Sequence, residues 1–212
     1  LSWRRWLGFA AGFLLAGWIW VLNVHSLLPV PKPVPSRILV VEGWTHGYGV
    51  NGAVREFKTG HYDRIFTTGG PVEGMGNPSS IADTTAAQSA ALLKKAGLPG
   101  DIVQSVPSCF VGRDRTYNSA VALRDWFHDH DLHPASLNVL TEDAHARRTW
   151  LLFQEALGPD IRVGIISAND PDYDADHWWR SSEGVREIID ESVAYIYARF
   201  FFFPPPPDAQ PG

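Results

Sequence analysis

From residue 37 onward, short apolar runs alternate with longer segments in which apolar residues recur every three or four positions. The short runs are typical of buried strands, and the longer segments are typical of amphipathic helices. Strands are predicted at residues 37–41, 64–68, 101–106, 136–141 and 161–167, and helices at 49–60, 79–97, 115–130, 146–158 and 181–202. This alternation produces βαβ crossovers. The sequence therefore predicts an α/β fold, a three-layer Rossmann-like sandwich with a mainly parallel sheet, over residues 37–203.

Three helix boundaries carry recognisable signals. Ser80 and Asp83 have the spacing of a capping box, and Gly97 is placed to end the same helix. Asp143 precedes the helix that follows the fourth strand, and it is predicted to be the N-cap of that helix.

The N-terminal segment, residues 1–28, differs from the rest. Arg4 and Arg5 precede an uncharged stretch that runs from Trp6 to Leu22. A stretch of this length predicts one transmembrane helix, a single-pass signal anchor. Because the positive charges come before the span, the domain is predicted to lie on the extracytoplasmic side of a bacterial plasma membrane. A cleaved signal peptide and a buried core helix are the alternatives.

Two proline-rich segments flank the domain. Residues 29–36 predict an extended linker that separates the membrane segment from the domain, and residues 204–212 predict a disordered tail. Phe200 to Phe203 are predicted to end the last helix against the core, with contact to a membrane surface as the alternative.

Composition narrows the possible partners and cofactors. The formal net charge of −5 argues against a nucleic-acid partner, which requires a basic surface. Cys109 is the only cysteine, which excludes an intrachain disulfide, and its predicted role is that of a small buried hydrophobe. His128, His130 and His133 predict a solvated face rather than a metal site. The motifs HExxH, GxSxG and GxGxxG and the P-loop motif are absent, so the cofactor stays unknown.

Ligands of open parallel sheets bind beyond the carboxyl ends of the strands. The polar and glycine residues that follow the predicted strands are therefore the candidates for a site. The candidate ligand-binding residues are Thr68, Gly69, Gly70, Arg113, Arg115, Thr116, Asn118, Arg147, Arg148 and Arg180, and the candidate catalytic residues are His145, Glu42 and Asp114.

The arginines suggest what such a site would bind. They precede three separate predicted helices at one predicted edge of the sheet, and a guanidinium group binds phosphate or carboxylate through two parallel hydrogen bonds. We therefore expect these arginines to gather around a small anionic or phosphate-bearing ligand, while His145, Glu42 or Asp114 transfers a proton. In the alternative, each arginine is solvated or paired with a nearby carboxylate.

The order of four motifs resembles the SanA/ElyC/YdcF-like family of bacterial envelope proteins. The matching stretches are ILVVEG, TTGGP, RTYNSA and HARRTWLLF, and the resemblance extends from Arg37 to Phe200. It implies a Rossmann-like domain that is often membrane-anchored, with Gly69, Gly70, Thr116, His145 and Arg148 in the site. Glu42 and Trp44 stand where many members have small residues, which argues against a nucleotide in that turn.

The resemblance also implies a role in cell-envelope biogenesis, and one family member has been associated with S-adenosylmethionine. We therefore expect a membrane-anchored protein that acts on a phosphate-bearing intermediate of surface polysaccharide or peptidoglycan biogenesis. A non-catalytic envelope ligand-binding module is the alternative. A third hypothesis is that the protein binds S-adenosylmethionine or a nucleotide. This hypothesis fits less well with a domain outside the cytoplasm.

Overall fold

A computed structural model describes residues 3–72, 81–109 and 113–204. Its strands are β1 (Ile38–Glu42), β2 (Arg64–Gly69), β3 (Val103–Pro107), β4 (Ser136–Glu142) and β5 (Arg162–Ala168). Its helices are α1 (Trp3–Leu27), α2 (Gly47–Thr59), α3 (Thr85–Lys95), α4 (Arg115–Asp129), α5 (Ala146–Leu157) and α6 (Ser182–Phe200).

The five strands form one parallel sheet in the order β3-β2-β1-β4-β5. The prediction of an α/β fold with a parallel sheet is thereby confirmed. The chain builds the sheet outward from β1 in one direction through β2 and β3, and then in the other through β4 and β5. The boundary between β1 and β4 is the switch point at which open α/β sheets bind ligands.

Side chains on the central strands alternate between two cores. Val40, Phe66 and Val139 point to one face, where α4, α5 and α6 pack. Leu39 and Ile65 point to the other face, where α2 and α3 pack. Because the period of a strand is two residues, the same alternation decides which residues at the strand ends face a given layer of helices.

In the described part of α1, the side chains that are buried against the domain lie near the C-terminal end of the helix. Val24 and Leu28 are buried against Trp178 and Ile188, and the indole of Trp178 donates a hydrogen bond to the carbonyl of Val21, at 3.1 Å. Large apolar side chains nearer the N-terminus of α1 are exposed, namely Trp3, Trp6, Leu7, Phe9, Phe13, Leu14, Leu15, Trp18 and Ile19. Within the described part of the chain, no helix has the combined length and apolarity of a membrane-crossing segment.

The proline-rich linker is fixed to the domain. Lys32 exchanges two backbone hydrogen bonds with Ile165 on the edge strand β5, at 2.9 and 3.1 Å. Val34 bonds through both its N–H and its carbonyl to the buried side chain of Asn138, at 2.9 Å each. The expected spacer is therefore an ordered strap, because these backbone groups find partners on β4 and β5.

Replacing Asn138 with Ala should lower the free energy of unfolding by about 2–3 kcal/mol. The substitution leaves the backbone groups of Val34 without partners and also removes a 3.0 Å hydrogen bond to the hydroxyl of Tyr62. Urea denaturation followed by tryptophan fluorescence measures the loss. Gln104→Ala, at a partly exposed side chain on the edge strand β3, is the control and should change stability by less than about 0.5 kcal/mol.

The structure corrects two predicted helix starts. The N-cap of α3 is Thr84, whose hydroxyl accepts from the N–H of Ala87, at 3.2 Å, so Asp83 does not open this helix; Ser80 lies outside the described residues. A 3-10 turn, Asp143–His145, precedes α5, and Asp143 is not its N-cap. Gly97 follows the end of α3 with φ +96°, as predicted.

Two further predictions concern exposure and the C-terminus. Cys109 is exposed, which contradicts its predicted role as a buried hydrophobe. Phe202 packs partly against the core, whereas Phe200, Phe201 and Phe203 are largely exposed. Of the predicted tail, residues 205–212 lie outside the described part of the structure.

Candidate functional site

A cavity of about 570 Å³ opens beyond the carboxyl ends of β1 and β2, beside the first turns of α4 and α5. One part of its lining is polar and comes from the strand ends and these first turns: Glu42, Thr68, Thr85, Asp114, Arg115, Thr116, Ser119, His145 and Arg148. The other part is largely apolar: Trp44, Pro71, Leu152, Ala194, Tyr197, Ala198 and Phe202. Gly69 and Gly70 complete the lining.

Glu42 and Thr68 form the sheet side of the cavity. They are paired in register on β1 and β2, so their side chains emerge side by side on the face covered by α4, α5 and α6. Glu42 is 2% exposed, and its Oε2 accepts from the hydroxyl of Thr149, at 2.8 Å. Thr68 is 1% exposed, and its hydroxyl has no hydrogen-bond partner among the residues that the structure describes. A buried hydroxyl in this state is available to a ligand.

The glycines at this edge allow α3 to approach the sheet. A Cβ on Gly43 would lie 2.6 Å from the backbone of Thr85, and a Cβ on Gly69 would collide with the hydroxyl of Thr85. The carbonyl of Gly70 accepts from the N–H of Thr85, at 2.8 Å. Gly69 and Gly70 therefore line the cavity as predicted, and their structural role is the close contact with the first turn of α3.

Arg148 and His145 form a buried network with two carboxylates of α6. Nε and Nη2 of Arg148 each donate to Glu191, both at 2.8 Å. The His145 ring contacts Glu187 through Nε2, at 2.9 Å, and Glu191 through Nδ1, at 2.8 Å. Nη1 of Arg148 also donates to the hydroxyl of Thr116, at 3.3 Å. Two cations thus meet two carboxylates, and both side chains are held in place.

The network fixes the charge of its members. Burial lowers the pKa of His145, but the hydrogen bonds to Glu187 and Glu191 outweigh burial and raise that pKa to about 10. Burial raises the pKa of Glu191, but the bonds from His145 and Arg148 outweigh it and lower that pKa to about 2. At neutral pH the imidazole is therefore a cation whose two N–H groups both point at carboxylates. Nδ1 of His145 and Nη2 of Arg148 lie 3.0 Å apart, but both are N–H donors to Glu191 and do not bond to each other.

This arrangement does not suit the general acid or base role predicted for His145. A base must have a free ring nitrogen near neutral pH, and an acid must direct a proton at the substrate. Here both nitrogens are engaged by α6. Of the three predicted catalytic residues, Glu42 and Asp114 line the cavity without such a network. Asp114 precedes α4 in the left-handed conformation, φ 56° and ψ 37°, and its side chain does not cap the helix.

The predicted convergence of five arginines is wrong. Arg115 and Arg148 line the cavity, whereas Arg113 and Arg180 are exposed outside it. Arg147 points to the other side of α5 and bonds to the C-terminal end of α1, through Nε to the carbonyl of Leu27. The reason is geometric: successive residues on a helix point about 100° apart, so Arg147 and Arg148 cannot share one pocket.

Asn118 also lies outside the lining, although Thr116 is part of it. The side-chain amide of Asn118 donates to the carbonyl of Arg113, at 3.1 Å, and fixes the loop that enters α4. The sequence predicted the right segment but assigned this residue to the ligand.

Sequence reasoning did not identify Glu187 and Glu191, which complete the network. A usable signal exists, because the two acids are four residues apart and Glu191 adjoins the buried face that includes Ile188. Charged residues on the inward face of a helix require partners, so they indicate a buried polar network.

The acidic residues at the end of β4 serve other contacts. Glu142 faces the α2 side, where it accepts from the hydroxyl of Tyr48, at 2.7 Å, and contacts His46, at 3.0 Å. Asp143 accepts from the hydroxyl of Tyr173 and lies 3.2 Å from His25 of α1. Neither carboxylate lines the cavity, and Asp143 helps to hold α1 on the domain.

No group of His, Cys, Asp and Glu in the described residues has the geometry of a metal site, and His128 and His133 are largely exposed. No protein-family model matches the chain, and no curated protein matches it. The resemblance to the SanA/ElyC/YdcF-like family therefore stays a prediction.

Proposed function

We propose that this protein binds a small phosphate-bearing ligand in the cavity beyond β1 and β2. The observation that carries the proposal is the first turn of α4, which lies at the cavity without a side-chain cap. Its N–H groups have a partial positive charge, and Arg115 and Thr116 of the same turn line the cavity. A helix start with an arginine and a hydroxyl suits the oxygens of a phosphate.

The charge balance limits how much negative charge the ligand carries. Three cations, Arg115, His145 and Arg148, lie at the cavity, but so do the carboxylates of Glu42 and Asp114. With three cationic and two acidic side chains in its lining, the cavity suits a single phosphate group rather than the concentrated charge of a diphosphate or triphosphate.

The apolar wall of the cavity indicates that the ligand also has an apolar part. Leu152 of α5, Tyr197 of α6 and Phe202 lie on the side of the cavity away from the strand ends. A cavity with a polar end and an apolar end binds an amphipathic molecule, because each part of the molecule finds a matching surface. A phosphate group joined to a hydrocarbon chain has this chemistry.

We propose further that α1 attaches the protein to the bacterial plasma membrane. Between residues 5 and 19 its apolar side chains are exposed on all sides, and a helix that is apolar all round requires an apolar environment. Arg5 lies at the N-terminal end of this segment, away from the domain. Because positive charges beside a membrane segment stay in the cytoplasm, the domain at the other end lies on the extracytoplasmic side. Membrane attachment, together with the amphipathic cavity, supports a role with a lipid-linked phosphate intermediate in surface polysaccharide or peptidoglycan biogenesis.

Replacing Arg115 with Ala should weaken phosphate binding about tenfold or more, because it removes a charge-assisted hydrogen bond worth about 1.5–3 kcal/mol. The measurement is the rise in melting temperature that inorganic phosphate produces in the full chain in detergent. Arg113→Ala is the matched control, since Arg113 is exposed two residues earlier and outside the cavity lining. If phosphate raises the melting temperature equally in Arg115→Ala and Arg113→Ala, the proposal is contradicted.

A non-catalytic ligand-binding module is the second candidate, and the engagement of both His145 nitrogens favours it. Native mass spectrometry of protein purified from its membrane separates the candidates. An enzyme that uses Glu42 as its base should retain more bound ligand when Glu42 is replaced with Gln, because turnover stops. If the protein is a binding module, the Glu42→Gln variant should contain no more bound ligand than the unmodified protein.

A further inference from the structure

We infer that Glu42 and Thr68 form a subsite for hydroxyl groups, so that the phosphate of the ligand is also esterified to a polyol such as a sugar. This inference rests on the proposed function and adds the chemical class of the group that carries the phosphate. Its basis is the sheet side of the cavity, where Glu42 and Thr68 lie, whereas the first turn of α4 carries Arg115.

The two side chains are placed to act on one group. Their Cα atoms are partners on adjacent parallel strands, and such strands lie about 4.8 Å apart. Both residues are almost fully buried and both line the cavity, so a ligand that reaches one reaches the other.

Their hydrogen-bonding capacities are complementary to a hydroxyl group. The Glu42 carboxylate only accepts hydrogen bonds when it is ionised, and the 2.8 Å bond from Thr149 fixes its Oε2. The unpartnered hydroxyl of Thr68 can donate as well as accept. A ligand hydroxyl can donate to Glu42 and accept from Thr68 at the same time. Two adjacent ligand hydroxyls can take one residue each.

A phosphate group does not fit the same position. Its oxygens would face the carboxylate of Glu42, and like charges in a buried site repel each other strongly. The anionic and hydroxyl-bearing parts of the ligand therefore separate, with the phosphate at Arg115 and the polyol at Glu42 and Thr68. A ligand hydroxyl at this position would also give the buried hydroxyl of Thr68 a hydrogen-bond partner, which removes the cost of leaving it unpaired.

Trp44 supplies an apolar surface beside this subsite. Its ring is half-buried at the cavity and is held edge-to-face against His145, with centroids 4.4 Å apart. A fixed aromatic ring next to a carboxylate suits a sugar ring, which carries hydroxyls at its edge and C–H groups on its faces. A cavity of about 570 Å³ has room for a monosaccharide phosphate.

Isothermal titration of the full chain in detergent tests the inference with three probes: inorganic phosphate, glycerol 3-phosphate and glucose 1-phosphate. We expect a polyol phosphate to bind at least tenfold more tightly than inorganic phosphate. The larger gain with glucose 1-phosphate would assign the subsite to a sugar, and the larger gain with glycerol 3-phosphate would assign it to a lipid-type head group. Thr68→Val should remove most of this gain and leave the affinity for inorganic phosphate unchanged.

Thr141→Val is the matched control. Thr141 lies near the end of β4, is fully buried and has an unpartnered hydroxyl, but it is outside the cavity lining. Its replacement should leave all three affinities unchanged. Equal affinities for the three probes, or an unchanged gain in Thr68→Val, would overturn the hydroxyl subsite while phosphate binding stands. Failure of all three probes to bind would overturn the proposed function itself.

Discussion

Replacement of Glu191 with Ala is expected to lower the free energy of unfolding by about 3–5 kcal/mol. Glu191 is 5% exposed and accepts from Arg148 twice, at 2.8 Å each, and from His145, at 2.8 Å. Without this carboxylate, a guanidinium group and an imidazolium group remain largely buried and lose the acceptor that they share, and an uncompensated buried charge is strongly destabilising. Urea denaturation at pH 6 followed by tryptophan fluorescence measures the loss.

The control for this prediction is Asp190→Ala, one residue earlier on the same helix but exposed. It should change stability by less than about 0.5 kcal/mol. The double variant Arg148→Met, Glu191→Leu should recover much of the loss, because two apolar side chains replace the buried pair. A Glu191→Ala protein as stable as the Asp190→Ala protein would show that the network contributes nothing to folding.

The strands and helices of the domain were predictable because the periodicity of apolar residues reports local burial. Each of the five strands lies within one or two residues of its predicted position, since their residues face apolar layers on both sides. The starts of helices α3 and α5 were less predictable. Thr84 and Ser80 are both acceptable N-caps by residue type, so the sequence alone does not select Thr84, which begins α3 in the structure.

The position of the candidate site was also predictable, but its hydrogen-bond network was not. A parallel sheet places Glu42 and Thr68 at one edge whatever the sequence between them. The partner of Arg148 lies 43 residues away on α6, and no local pattern links the two. Charge repetition along the chain suggested an anion clamp of arginines, whereas the fold uses one of them, Arg148, together with His145 to hold α6 in place.

Arg147 illustrates the same limit. Next to Arg148 in sequence, it was grouped with that residue as a candidate ligand-binding residue, yet its side chain donates to the carbonyl of Leu27 at the end of α1. A cation at that position is favourable because the C-terminal end of a helix carries a partial negative charge. The three bases at the start of α5 therefore hold α6 and α1 in place, which explains their presence at a helix end that normally attracts acids.

Stability should fall on both sides of a plateau between about pH 4.5 and 6.5. The pKa of Glu191 is lowered from 4.5 to about 2, so its contribution is complete above pH 4.5 and is lost as the pH falls toward 2. The pKa of His145 is raised from 6.5 to about 10, so its contribution is complete below pH 6.5 and is lost as the pH rises toward 10. At about 1.4 kcal/mol per pKa unit, the acid limb is worth roughly 3 kcal/mol and the alkaline limb roughly 5 kcal/mol, and the two are not additive because they share one ion pair.

The alkaline limb is the more diagnostic, because the larger part of it comes from His145; Glu142 also raises the pKa of the mostly exposed His46, which adds a smaller part. Urea denaturation across pH 6.5 to 9 should show stability falling by about 1.4 kcal/mol per pH unit for the one proton that His145 releases on unfolding. His145→Gln should be less stable at pH 6 and should lose most of this slope, whereas His133→Gln, at an exposed histidine, should keep it. A flat profile in the unmodified protein, or an unchanged slope in His145→Gln, would mean that the imidazole is not held as a cation. One ring nitrogen of His145 would then carry no proton and could act as a base in the cavity, and the argument for a binding module over an enzyme would lose its basis.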